Sequence, residues 1–325
     1  MAVADAGLAE DLTRNMALAE QRLFASVEAE HGLLTESARH LISAGGKRLR
    51  PFLVLLGSQF GSRRDERILS AAVAMELTHI GTLYHDDIMD EAAIRRGVPS
   101  AHALWGGRTA VLTGDFLFAR ASRLVAELGE AAIQLHARTF SRLCAGQSAE
   151  TAGPQSEDDR LHHHIGVLSD KTASLFSASG ELGGALAGAP GEVTAGISRA
   201  CEAWGIAYQL LDDVLDVTSQ TDESGKPAGA DLREGVPTLP MIFALRSALP
   251  ADQRLVDLLT SGRLTDPDLH GEALRLLQEH PAIDMARAEV QKWANLARRE
   301  IRALPGCPAR DVFEALCEYV VNKTL

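Results

Sequence analysis

Apolar residues recur every three or four positions along almost the whole chain, and nowhere do they alternate with polar ones over the length of a strand. The rhythm runs through 8–27, 33–42, 51–60, 68–88, 108–128, 131–151, 161–187 and 193–217, and returns in shorter segments beyond. It predicts helix packed on helix. Glycine and proline pairs at Gly45-Gly46, Gly106-Gly107, Gly153-Pro154 and Ala189-Pro190 supply the turns between segments. Aromatic residues make up only 5% of a chain that is 46% hydrophobic, which also favours helices over sheets. The stretch 153–159 is the one linker candidate and is too short to part independent domains. The expectation is a single all-α domain over 1–325.

A formal net charge of -12 excludes a broad basic field for nucleic acid, so any anionic ligand must be met by local cations. Cys144, Cys201, Cys307 and Cys317 show no CxxC spacing and read as free thiols of a reducing compartment. The first 30 residues carry acidic groups from Asp5 onward and do not read as a signal peptide. Apolar stretches are broken by charge or glycine before membrane-spanning length, so a cytoplasmic protein with no membrane span is expected.

Two clusters carry the chemistry. Asp86, Asp87 and Asp90 fall in one helical segment, and Asp212, Asp213 and Asp216 repeat the spacing in another. On a helix, positions i and i+4 share a face, while the second aspartate of each cluster diverges by about 100°. Like charges so spaced destabilise a helix by roughly 0.2–0.5 kcal/mol, a cost that a hard cation reverses. Carboxylates without His or Cys partners suit Mg2+, whose shell is completed by water and phosphate. Phosphate-binding candidates accompany them. Gly45-Gly46-Lys47-Arg48-Leu49-Arg50-Pro51 sets a flexible glycine pair before cations at a helix start, and Arg95-Arg96-Gly97 follows the first cluster. Taken alone, the glycine-led segment reads more readily as a solvated surface, and Arg95-Arg96-Gly97 equally well as a charged helix end.

The segments GGKRLRP, LYHDDIMDEAAIRRG, GDFLFARA, DKTASLF, YQLLDDVLD and GKPAGADLREGVPTLP occur in an order that resembles the trans-prenyltransferase family of polyprenyl diphosphate synthases. The likeness covers a core of about 33–240, with C-terminal helices over 241–325. It implies a large helical bundle of the isoprenoid synthase type with a central cavity, acting usually as a homodimer. It implies Mg2+, three ions per active site, joining isopentenyl diphosphate to an allylic diphosphate. By this resemblance Asp86, Asp90, Asp212 and Asp216 hold the metal, with Asp87 and Asp213 as water-mediated partners. Arg95, Lys171 and Lys226 neutralise the allylic diphosphate. Lys47, Arg50, His79 and Arg96 bind isopentenyl diphosphate, and Gly46 lets backbone approach it. Thr172 and Gln209 steady the cation or the diphosphate, and Gln147 faces the cavity, although from the residues alone it reads as a surface glutamine.

Other residues take plainer readings. His162, His163 and His164 spread over about 200° of a helix, cannot share a metal, and read as a solvated helix start. His85 serves either support of the first cluster or packing, and Asp115 and Asp231 suit capping or indirect bonding. Val236 stands where many relatives have lysine. A class I terpene cyclase would replace the second aspartate cluster with an Asn/Ser/Glu set, a silent partner subunit would lose charged residues kept here, and a plain cation-binding module leaves the basic segments unexplained. For product length, Thr82, Gly81 and Thr78 lie on one face leading inward from Asp86, and all are small. An open path to Met75, about 16 Å of helix, predicts an all-trans product of about C30–C50 for a quinone side chain. Phe116 and Phe118 are the residues able to close it, which would leave a C15 or C20 product.

Overall fold

The periodic segments are helices in a computed structural model that describes residues 5–155, 160–219, 228–262 and 264–323. In chain order they are α1 (Ala6–Ser26), α2 (Gly32–Ser43), α3 (Leu49–Gly57), α4 (Arg67–Met89), α5 (Ala101–Trp105), α6 (Gly107–Ala126), α7 (Glu130–Ala152), α8 (Arg160–Leu168), α9 (Ser174–Leu186) and α10 (Gly191–Thr218). After them come α11 (Ala230–Glu234), α12 (Leu239–Ala244), α13 (Gln253–Thr260), α14 (Pro267–Glu279), α15 (Ala282–Arg302) and α16 (Pro308–Lys323). Side chains accept from orphan amides where the sequence allows it: Asp5 caps α1 at Leu8 N, and Asp266 caps α14 at Asp268 N and Leu269 N. Part of the expected linker, 156–159, lies outside the described residues.

Two features depart from the expected pattern. Ile94–Arg95 (β1) pairs antiparallel with Val98–Pro99 (β2), and the turn residues Arg96 and Gly97 both have positive φ, 53° and 77°. That is the backbone a two-residue hairpin requires. Between α8 and α9 the helix continues through a π-turn, Ser169–Ala173, which places one extra residue in the ladder.

Contacts gather into two compact units. The first comprises Met1–Ser141, Leu175–Cys201 and Ile301–Val312. Its central element is α4, buried from Ala71 through Thr78 and again at Ile80, Gly81 and Tyr84 because its sequence is apolar around the whole circumference. It packs against α1, α3 and α6, and Leu41, Ile42, Leu77, Ile80, Tyr84 and Leu117 belong to one core. Each such side chain contributes roughly 1.5–3 kcal/mol by leaving water. Helices α3 and α9 meet at backbone contact, where a Cβ on Gly57 would sit 2.5 Å from the Gly180 oxygen.

The second unit comprises Arg142–Ser174, Glu202–Glu300 and Phe313–Leu325. Its core draws on Ile206, Leu210, Leu211 and Val214 of α10 and Leu239 and Ile242 of α12, all buried. Helix α12 packs on α8, and α13 packs on α14. Trp204 donates Nε1 to Leu316 O at 3.2 Å, which satisfies the indole while its rings stay buried.

Candidate active site

In the first unit the first aspartate cluster ends α4. Asp90 is the C-cap and donates its amide to Asp86 O at 2.8 Å; Asp86 is half-buried and Asp90 exposed. Asp87 differs from both. It is buried, its Oδ1 accepts from Arg95 Nε at 2.6 Å, and its Oδ2 has no hydrogen-bond partner. Burial pushes its carboxyl above the usual range against the opposing pull of Arg95. The hairpin that carries Arg95 thus ties this cation to the first cluster.

The glycine pair and its cations form a second assembly in the same unit. Gly45 and Gly46 have φ of 89° and 142°, and Arg48, at φ 50°, enters α3 in the left-handed region. Arg48 is buried. It donates Nε and Nη2 to the two Glu20 oxygens at 2.8 and 2.9 Å, Nη1 to Glu76 Oε1 at 3.2 Å, and Nη2 to Ile42 O at 2.8 Å. Arg96 donates Nη1 to Leu41 O at 2.9 Å and also to Gly45 O. A Cβ at Gly46 would lie 2.9 Å from the Arg96 guanidinium carbon and 3.0 Å from Arg48 Nη1. What comes close to Gly46 in this structure is a pair of guanidinium groups. Arg50 lies 4.5 Å above the Phe176 ring, and Lys47 is exposed. Burial, followed by the charges of Arg50, Arg96, Arg48 and Arg95, holds His79 well below the usual imidazole range. His79 is neutral, and the positive charge belongs to the arginines.

The face expected to be open is filled. A Cβ at Gly81 would lie 2.8 Å from Phe118 Cε1, so the α6 ring occupies the space a larger residue would need. Phe118 meets His85 and Phe140 edge to face, at ring distances of 5.4 and 4.8 Å. Thr78 is buried; it donates to Ala74 O and pairs with His136 Nε2, both at 2.9 Å. Thr82 donates to His79 O at 2.8 Å, and Met75 is buried. Of the two candidate phenylalanines, Phe118 packs against Gly81, whereas Phe116 stacks beneath Arg120 at 4.8 Å. His85 has its Nε2 3.2 Å from Val111 O and packs over Gly114, which has no room for a Cβ, while exposed Asp115 lies 3.6 Å away.

The second unit holds the other cluster on α10. Asp212 is half-buried. Asp213 is buried, and its Oδ2 accepts from His164 Nε2 at 2.8 Å and from the Leu239 amide at 3.1 Å. The reading of the three histidines as solvated is corrected at His164, which the Asp213 bond draws inward; His162 alone is exposed. Asp216 accepts from the Ala230 and Asp231 amides at 3.2 and 3.3 Å, so each oxygen already serves the start of α11 and keeps lone pairs for other partners. Lys171 and half-buried Thr172 lie on the π-turn, with Lys171 Nζ paired to Glu150. Gln147 and Gln209 are half-buried, and Val236 is exposed. Lys226 lies outside the described residues.

Among the described residues no group of three or more His, Cys, Asp or Glu converges on a common metal position. The donor set nonetheless fits magnesium, which is commonly held by one or two carboxylates and completed by water and substrate phosphate. The buried, unpartnered Asp87 Oδ2 beside Asp86 also fits a nearby cation or its water. Glu20, Glu76 and Glu150 took no reading from the sequence, Arg48 entered only as a member of the glycine-led run, and His164 only as a solvated residue. The available signals were a third cation within the glycine-led run and a lone carboxylate, Glu76, inside an otherwise apolar helix.

Comparison with known proteins identifies the family. The chain is 42% identical over 320 residues to a nonaprenyl diphosphate synthase of Mycobacterium tuberculosis, covering 98% of this chain and 95% of that one. It is 36% identical to heptaprenyl diphosphate synthase component 2 of Geobacillus stearothermophilus, covering 95% and 96%. Its fold matches a Corynebacterium glutamicum geranylgeranyl pyrophosphate synthase, crystallised with calcium and isoprenyl diphosphate, at TM-score 0.90 and 36% identity, over 100% and 99% of the two chains. A Rhodobacter capsulatus decaprenyl diphosphate synthase matches at 0.89 and 33%, over 98% of each chain. The family model described as Polyprenyl synthetase matches residues 31–277. With that match, and with relatives aligned over nearly its whole length, the chain belongs to the polyprenyl synthetase family of prenyltransferases, with the all-α isoprenoid synthase fold.

Proposed function

We propose that the chain elongates an allylic diphosphate with isopentenyl diphosphate, releasing diphosphate and giving an all-trans polyprenyl diphosphate. The carrying observation is that one unit brings together a carboxylate-ended helix, the Arg95-Arg96 hairpin and the glycine-led loop that holds Arg48 and precedes Arg50. Carboxylates suited to a hard cation and guanidinium groups suited to diphosphate are what an ionising leaving group requires. Asp86 and Asp90, and Asp212 with Asp216, supply carboxylates for magnesium, while Asp87, held by Arg95, and Asp213, held by His164, act through water. The metal, when bound, supplies charge that stabilises the departing diphosphate. Arg95, Lys171 and Lys226 meet the allylic diphosphate; Lys47, Arg50 and Arg96 meet that of isopentenyl diphosphate, with neutral His79 as a hydrogen-bonding partner. Thr172 and Gln209 present oxygen dipoles to developing positive charge, and Gln147 orients the diphosphate. The proton lost after bond formation passes to diphosphate oxygen, so no side-chain base is needed.

The whole of 1–325 serves as one synthase domain, a reading supported by a family match that runs through segments of both units. It acts as a cytoplasmic homodimer. No helix among the described residues is long and apolar enough to cross a membrane. A medium or long product, about C30–C50, is favoured by the identity to a nonaprenyl diphosphate synthase. Phe118 against Gly81 favours a second reading, a C15 or C20 product. The test combines purified protein, magnesium, labelled isopentenyl diphosphate and C5, C10, C15 or C20 allylic primers, with product length read by chromatography. Condensation that stops with EDTA and returns with magnesium is expected. Failure to consume isopentenyl diphosphate with every primer would overturn the reading, and a product ending at C15 or C20 would select the second.

A further inference from the structure

Arg142, Gly146 and Glu150 recur every four residues on α7, so they share one helical face. All three meet the π-turn. Arg142 donates Nε to Asp170 Oδ1 at 2.7 Å and Nη2 to Ser169 Oγ at 2.9 Å and Ser169 O at 3.3 Å. The same Nη2 reaches Glu202 Oε1 at 2.6 Å, and Ser169 Oγ also donates to Glu202 at 2.9 Å. One turn on, a Cβ at Gly146 would lie 2.5 Å from the Lys171 amide nitrogen, so the two backbones touch at the extra residue of the turn. One turn further, Glu150 pairs with Lys171 Nζ.

A π-turn displaces the helical hydrogen bonds and persists where neighbouring groups hold it. Here a guanidinium secures the two residues before Lys171, a glycine admits the backbone at Lys171, and a carboxylate receives its ammonium. We propose that this face of α7 is a positioning platform for Lys171: Arg142 and Gly146 fix the π-turn that aims the lysine, and Glu150 is a resident counter-ion that the allylic diphosphate displaces. The inference rests on the reading that Lys171 meets that diphosphate. It assigns no contact with the substrate to Arg142 or Gly146; they act through Lys171. It also gives the two charged members of the platform opposite effects. Losing Arg142 lets the turn relax and misplaces the ammonium. Losing the Glu150 charge removes a competitor of the diphosphate.

The experiment measures steady-state kinetics for both substrates in Arg142→Met, Gly146→Ala and Glu150→Gln, each in the wild-type and Lys171→Ala backgrounds. It is accompanied by amide hydrogen exchange over 169–173. Arg142→Met is expected to lower kcat/KM for the allylic substrate by up to about 100-fold, the scale of a small misplacement transmitted from a distance. KM for isopentenyl diphosphate should stay unchanged, and exchange over 169–173 should quicken. Glu150→Gln is expected to lower the allylic KM by about threefold, in keeping with a partly exposed ion pair. In the Lys171→Ala background all three substitutions should add nothing to the kinetic loss. If Arg142→Met does not fold, Gly146→Ala carries the same expectation without removing a charge. Full additivity in the Lys171→Ala background, or an allylic KM that rises in Glu150→Gln, overturns the platform while leaving the role of Lys171 intact. Wild-type allylic kinetics in Lys171→Ala alone overturns that role, and the platform with it.

Discussion

At the scale of single residues, the buried charges around α4 decide how firmly the cationic loop is held. Arg48 and Glu76 are both almost fully buried, and Glu76 Oε2 has no hydrogen-bond partner, so the ion pair is what keeps the carboxylate tolerable in the core. Arg48→Met is expected to destabilise the fold by about 3–5 kcal/mol, because it leaves a buried carboxylate unpaired. Adding Glu76→Gln should recover much of that loss. Urea unfolding of both single variants and the double variant checks this, and strict additivity would show that the pair is not coupled. His136 makes a prediction about pH. Burial lowers its pKa below the usual 6.5, so the folded protein refuses a proton that the unfolded chain accepts. Its contribution to stability is present above about pH 6.5 and is lost as pH falls through the depressed folded value, with a limiting slope of about 1.4 kcal/mol per pH unit. Half-buried His79, also held well below the usual imidazole range, adds in the same direction. His136→Gln should therefore show a shallower fall in urea-derived stability between about pH 6.5 and 5 than wild type does. An unchanged slope would mean that this imidazole titrates as though exposed.

At the scale of elements, α4 and α6 together set the space available to a growing chain. Phe118 fills the space beside Gly81, and it is braced edge to face by Phe140. Phe118→Ala is expected to shift the product distribution toward greater length while the first condensation persists, at a stability cost of about 3–5 kcal/mol. Chromatography of products from a fixed primer decides it; an unchanged distribution would place the limit elsewhere. Gly81→Phe is a poor complement, since two rings would claim one volume. The contrast with the sequence is instructive. The run of small residues at Gly81, Thr82 and Thr78 was legible, but the ring filling it comes from a helix about 37 residues away, and no local periodicity encodes that contact. The helices were legible because the 3.6-residue rhythm is strong, and the divergence of Asp87 from Asp86 and Asp90 followed from helical geometry alone. The β1–β2 hairpin was not, because strands of two residues are too short to show alternation; only Arg96-Gly97 hinted at it. The π-turn escaped for a related reason, since one added residue inside 161–187 leaves the apolar rhythm nearly intact. Likewise, the partners of Arg48, His164 and Arg142 are fixed by packing between distant segments.

At the scale of the whole molecule, several large apolar side chains of the first unit, on α5, α6 and α7, stay outside the chain's own core. Leu104 of α5, Val111 and Leu112 of α6 and Ile133 of α7 are 48%, 42%, 63% and 46% exposed, although most of α4 beside them is sealed. Single exposed leucines need no explanation, but several on consecutive helices mark a surface suited to association. The expected occupant is a second copy of the chain, since closed two-fold dimers are the commonest soluble assemblies and present the same surface twice. Assembly at this location would bear on catalysis. Val111 O is the neighbour of His85 Nε2, and His85 precedes Asp86 on α4 and packs against Phe118. A copy pressing on α6 would therefore steady the helix that carries the first aspartate cluster and the Phe118 ring at Gly81. Light scattering after size exclusion should give about twice the 34.8 kDa chain mass for wild type. Leu112→Glu should give the single-chain mass, because a carboxylate at the centre of a two-fold apolar contact meets its own copy and repels it. Turnover should fall together with the dimer fraction as the variant is diluted, and products made by the remaining activity should shift in length as α6 loosens. A wild-type protein that elutes as a single chain at all concentrations, or a Leu112→Glu variant that stays dimeric, would move the association surface away from α5, α6 and α7.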